Sequence, residues 1–170
     1  MIRGLLTTLE TPSPSLARYI LRVAPLTVLP SFLILGFAAV VFRLLGRDTT
    51  FPAEGAPSTG LLDLVGVVVA GPVLETLGLA LVLTLLGLCS LPVRWQAAVA
   101  ALLWGALHGL FHPLWFFGSV WGFFAFSAAF LAWRRVSGRH AYVAAATLHG
   151  VHNLAVVIVA SVWPQGAGLE

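Results

Sequence analysis

Six side chains able to do acid-base or hydrogen-bonding chemistry stand inside apolar runs of this 170-residue chain: Glu75, His108, His112, His149, His152 and Asn153. Glu75 is the only acid deep within such a run. His149 and Asn153 are four apart, so on a helix they project from one face. A carboxyl, imidazoles and an amide are the parts needed to take a proton from water, pass it on and hold a developing negative charge. Two His, one Glu and a water are also a set that holds catalytic zinc. Paired His on separate helices are a pattern of axial haem ligands as well. Each residue has a purely structural reading too, since a polar side chain bridging two membrane helices contributes about 0.6 kcal/mol. That reading is preferred for His112, next to Pro113, and for His152.

The elements that must position these groups follow from composition. The chain is 59% hydrophobic and 9% charged, with a mean hydropathy of +0.99, whereas ordinary soluble domains are roughly 45–50% apolar and about 25% charged. A soluble globular monomer is excluded, and so is a disordered chain, which needs low hydrophobicity and high charge. The solvent must be lipid, and the expected fold is all-α: a polytopic membrane helix bundle of about five transmembrane helices, with room for a sixth.

The first apolar run, Val23 to Phe42, follows Arg3, Arg18 and Arg22 and is too long for a cleavable signal peptide. It reads as a retained anchor carrying Pro25 and Pro30. Residues 43–60 form the one long polar connection, and a second span runs from Leu61 to Leu88, opened by Asp63 as a cap. From Trp95 to Trp133 no Asp, Glu, Lys or Arg occurs. As one helix this run would reach about 58 Å against a hydrocarbon core of about 30 Å, so it must turn back near His112-Pro113. That gives spans Gln96 to Phe111 and Leu114 to Trp133, and the fifth span is Ala141 to Trp163. The division is therefore 1–60 anchor and external loop, 61–163 core, and 164–170 tail. No internal repeat is visible.

Nine Arg, no Lys and six acids give a net charge of +3. The Arg lie at the ends of apolar runs and form no aromatic-interleaved patch, which argues against nucleic acid as a partner. Seven of them (Arg3, Arg18, Arg22, Arg94, Arg134, Arg135, Arg139) fall on one side of the five-span topology and only Arg43 and Arg47 on the other. The positive-inside rule then puts the N-terminus in the cytoplasm, and the compact build points to a bacterial inner membrane. The lone Cys89, in an apolar run, reads as packing, and Gly105 with Gly109 as a close helix contact. Counted from the cytoplasmic ends at 1.5 Å per residue, Glu75 and His108 lie about 20 Å deep, with His149 and Asn153 at about 12 and 18 Å. All four are expected to share one layer.

From Leu61 to Trp163, about 60% of the chain, the sequence resembles the CPBP family of intramembrane endopeptidases, which includes the eukaryotic CAAX prenyl proteases and bacterial bacteriocin-processing and self-immunity proteins. Glu75 matches the first Glu of the family's Glu-Glu-x-x-x-Arg motif. Trp104-Gly-Ala-Leu-His108 matches its Phe-x-x-x-His with another aromatic in first place, and His149-Gly-Val-His-Asn153 matches its His-x-x-x-Asn. Thr76 stands where the family has the second Glu, and Ala80 where it has Arg. The resemblance implies hydrolysis of a membrane protein or lipidated peptide. Glu75 would take a proton from a water held against His108 and return it to the leaving amine, while His149 and Asn153 steady the oxyanion. It implies no cofactor, with zinc on Glu75, His108 and His149 as the alternative. The corresponding non-catalytic reading is a membrane scaffold or self-immunity protein of the same fold.

Overall fold

A computed structural model describes residues 2–49 and 60–162. Most of the expected external loop, the tail and Trp163 lie outside these residues. Every regular element described is helical: α1 (Ile2–Glu10), α2 (Leu16–Leu44), α3 (Leu61–Val65), a π-helical segment (Gly66–Ala70), α4 (Gly71–Leu88), α5 (Val93–Gly109), α6 (Pro113–Arg134) and α7 (Gly138–Val162). Four rods are long and apolar enough to cross a membrane: Leu16–Leu44, Leu61–Leu88, Pro113–Arg134 and Gly138–Val162. The remaining expected span is α5, whose 17 residues rise only about 25 Å.

The outside of the bundle inverts the soluble pattern. Leu33, Phe37, Leu74 and Leu81 are exposed, while Thr27, Ser31, Thr76, Ser127, His149 and His152 are buried. That distribution suits a lipid solvent, in which apolar surface needs no cover and polar groups must turn inward. α6 is the hub, packed against α5, α7 and α2 and also touching α1 and α4. Small residues let it in: a Cβ at Gly105 would stand 3.2 Å from the Phe116 ring, and one at Gly109 3.2 Å from Phe116 Cβ.

Capping side chains explain two of the helix starts. α2 starts earlier than expected because the Ser15 hydroxyl accepts from the Arg18 amide at 3.2 Å, capping the helix before its apolar run begins. α6 begins where the His112 Nδ1 accepts from the Leu114 amide at 3.2 Å; His112 is thus a helix cap. Asp63 lies in the first turn of α3, while Gly60 occupies the cap position. Cys89 is exposed at the end of α4 and is not a packing residue.

One element was not expected. α1 is a short amphipathic helix held against the start of α2 and the start of α5. The Tyr19 hydroxyl donates to the Leu9 carbonyl at 2.5 Å, Arg22 donates to the Thr11 carbonyl at 3.2 Å, and Arg94 grips Glu10 with two hydrogen bonds of 2.7 and 3.0 Å.

Pro30 and Pro72 each open the backbone, and a side chain from another helix closes it. Pro30 has no N–H to give the carbonyl of Leu26 one turn earlier, and the Trp121 indole of α6 donates to that carbonyl at 2.8 Å. Pro72 has the same effect on the span that carries Glu75. There the Gly71 amide bonds to the Gly66 carbonyl, five residues back, so the ladder slips into a π turn. Pro72 supplies nothing to Val67 or Val68. Asn153 Nδ2, from α7, donates to the Val67 carbonyl at 2.9 Å, and the Val68 carbonyl lies against Gly150, where a Cβ would come within 2.7 Å of it.

Candidate active site

Glu75 and His108 face each other across α4 and α5, with Glu75 Oε2 3.9 Å from His108 Nε2. Glycines make room for the pair. Gly71 and Gly78 share the face of α4 that carries Glu75. A Cβ at Gly71 would lie 3.7 Å from Glu75 Oε1, and one at Gly78 3.1 Å from the Trp104 ring. The Trp104 indole, thereby seated on α4, reaches the Glu75 carboxyl. Glu75 Oε2 is buried and has no hydrogen-bond partner.

The histidine's tautomer follows from its other nitrogen. Nδ1 of His108 lies 2.9 Å from the Trp104 carbonyl, which can only accept, so Nδ1 carries the hydrogen. In the neutral ring Nε2 therefore offers a lone pair towards Glu75. The gap of 3.9 Å is too long for a direct hydrogen bond and is near the span of one bridging water. The two side chains are 35% and 30% exposed, so the pair can be reached from the bundle surface.

The other two expected site residues are placed differently. His149 is buried with its ring stacked on Phe126 at 4.7 Å and edge-on to Phe123 at 5.0 Å. Phe123 also meets the His108 ring at 5.2 Å, so a phenylalanine joins the two imidazoles and they make no hydrogen bond. Asn153, expected at the oxyanion, gives its amide to Val67. The single layer expected by counting residues is not observed. Tyr142 donates to the Val73 carbonyl at 2.7 Å, and Gly150 meets Val68, so eight residues of α7 pass only five of the facing span. α7 therefore crosses that span obliquely, and Val67 sits eight residues, about 12 Å, beyond Glu75.

His152, beside Asn153, bonds to the Thr27 backbone of α2 and stacks on Phe32 at 6.5 Å, which makes it an interhelical tie. Thr76, at the position of the family's second Glu, is fully buried with its hydroxyl unpartnered. No three His, Cys, Asp or Glu converge as a metal-ligand set among the described residues. Glu75 and His108 supply two ligands, and the third of the zinc alternative, His149, packs on Phe123 and Phe126. The residues do not fit that ion.

Comparison with protein-family models, curated proteins and solved structures finds no match. The site therefore has to be read from its own geometry.

Sequence inspection missed Pro72, Gly150 and Tyr142, three of the groups that set the position of the Glu75 helix. The signal for Pro72 was present, since a proline inside a span frees a carbonyl. Its receiver, however, is set only by how α7 crosses. Replacing Asn153 by Ala leaves the Val67 carbonyl without its donor and is expected to cost about 1–3 kcal/mol. Thermal unfolding of the purified protein in detergent measures it; an unchanged midpoint would mean that the bond contributes nothing.

Proposed function

We propose that the chain is an intramembrane endopeptidase of the CPBP type, hydrolysing a peptide bond of a membrane protein or lipidated peptide with Glu75 and His108. The observation that carries this reading is the pair itself: a carboxylate with an unpartnered oxygen 3.9 Å from an imidazole nitrogen whose lone pair points at it. Water between them donates one hydrogen to His108 Nε2 and the other to Glu75, which leaves its oxygen lone pairs free to attack a carbonyl carbon. As the bond to carbon forms, Glu75 takes the proton, then delivers it to the departing amine as the tetrahedral intermediate collapses. Trp104 and the glycines of α4 hold the carboxyl in place.

In this proposal Asn153 acts as a positioning residue, through the π segment that precedes Glu75, and His149 lines the site from behind Phe123. The bundle has five spans, α5 being the short one. The N-terminus is cytoplasmic and the protein lies in a bacterial inner membrane, in accord with the seven-to-two division of its Arg.

The test is a comparison of membrane-protein termini in cells making the wild type or His108→Gln. Under this reading, new termini accompany the wild type and are absent with the variant at equal protein level. Identical termini in both would refute it. A second reading, a non-catalytic scaffold or self-immunity protein, has one observation in its favour: His112, His152 and Asn153 are all bonded to backbone. It predicts that identical outcome.

A further inference from the structure

Where α4, α5 and α6 come together, about 18 Å along α4 from Glu75, an open cavity of about 340 Å³ is lined by Gly87, Val93, Gln96, Leu131, Arg134 and Arg135. Two of its polar groups meet over Gly87. A Cβ on Gly87 would lie 3.8 Å from both Arg134 Nη2 and Gln96 Oε1. Gln96 is held by its Nε2, which donates to the Leu91 carbonyl at 2.6 Å. Neither Arg134 nor Arg135 has an acidic partner among the described residues. Of the four acids there, Glu10 pairs with Arg94 and Glu75 with His108, while Asp48 follows the end of α2 and Asp63 lies in the first turn of α3. Arg134 and Arg135 are exposed beside the apolar side chains of Val93 and Leu131, so their ten N–H donors are open to an anion, and a phosphate is the group their fork geometry fits.

The rim indicates where that phosphate comes from. Leu88, Trp95 and Val136, from the turns and helix ends of this same end of the bundle, are exposed apolar side chains, and exposed Trp beside Arg is the composition of the headgroup level of a bilayer. We infer that this cavity binds the phosphate of an anionic phospholipid, with Arg134 and Arg135 on the headgroup and the acyl chains running over the apolar rim. Basic pockets between membrane helices on the cytoplasmic side take such lipids. The site is separate from Glu75 and stands whether or not the chain is a peptidase.

The full-length protein, reconstituted with phosphatidylcholine and a minor share of phosphatidylglycerol, would be extracted and weighed intact by native mass spectrometry. The wild type is expected to retain phosphatidylglycerol in excess of its share. Arg134→Gln/Arg135→Gln is expected to lose that preference roughly thirtyfold, at about fivefold per Arg. Arg139→Gln, in the same basic segment but outside the cavity, should keep it. Equal loss in Arg139→Gln, or no preference in the wild type, overturns the inference. A parallel arm adds inorganic phosphate at constant ionic strength. Retention of the lipid assigns the site to a headgroup, and full displacement shows that free phosphate is the ligand and overturns the lipid assignment.

Discussion

Glu75→Gln is expected, on the proposed peptidase reading, to lower peptide hydrolysis by about 10²–10⁴-fold, the usual contribution of a positioned general base, while the purified protein unfolds at the wild-type temperature or slightly above it. The two halves of this result have separate physical origins. The amide keeps the size of the carboxyl, so the seat made by Gly71, Gly78 and Trp104 is still filled. It cannot take a proton from water, so the attacking oxygen loses its activation. Stability does not suffer, because Oε2 has no hydrogen-bond partner to lose and a neutral amide costs less to bury than a charge. Glu75→Asp gives the complementary test: it keeps the base but draws it back by one methylene from a nitrogen already 3.9 Å away, so activity falls there too. Full activity in Glu75→Gln would remove this residue from the chemistry, and loss of the folded protein in the same variant would assign it a packing role.

The contrast between Glu75 and Asn153 marks how far the sequence could be read. Scarcity of charge placed the chain in lipid and made one carboxyl conspicuous, and the charge-free run to Trp133 located the turn at His112. The pairing of Glu75 with His108 was also within reach, since both lie about 13 residues from one turn. The second pair failed for a geometric reason: counting depth assumes parallel axes, and α7 crosses the Glu75 span at a slant. No residue pattern announces that slant. It becomes visible only in the contacts of α7 itself, where Tyr142 meets Val73, Gly150 meets Val68 and Asn153 closes the carbonyl that Pro72 leaves open. α1 was hidden differently. Its nine residues, IRGLLTTLE, are too few and too mixed to read as a span, and the contacts that hold it, Tyr19 to Leu9 and Arg94 to Glu10, join residues 10 and 84 positions apart.

Gly150→Ala should be the most disruptive Gly→Ala change among the described glycines. An ideal Cβ there stands 2.7 Å from the Val68 carbonyl oxygen, closer than van der Waals contact permits, and the obstacle is backbone, which cannot swing aside as a side chain would. Either α7 moves out or the π segment moves away, and overpacking of this kind costs about 1–3 kcal/mol. The displaced segment carries Val67, so the bond from Asn153 is strained in the same motion, and it leads directly into the helix that holds Glu75 opposite His108. The expected result is a lower unfolding temperature together with, on the proposed peptidase reading, reduced hydrolysis, although Gly150 touches neither Glu75 nor His108. Two comparisons separate this cause from helix propensity. Gly36→Ala, inside α2 with nothing within 4 Å of its Cβ, should stabilise the protein by about 0.4–1 kcal/mol. In Gly150→Ala/Asn153→Ala the losses should be less than additive, because both substitutions act on the same stretch of backbone. Fully additive losses would show that Gly150 and Asn153 hold different things, and a Gly150→Ala protein with wild-type stability would mean that Val68 is free to yield.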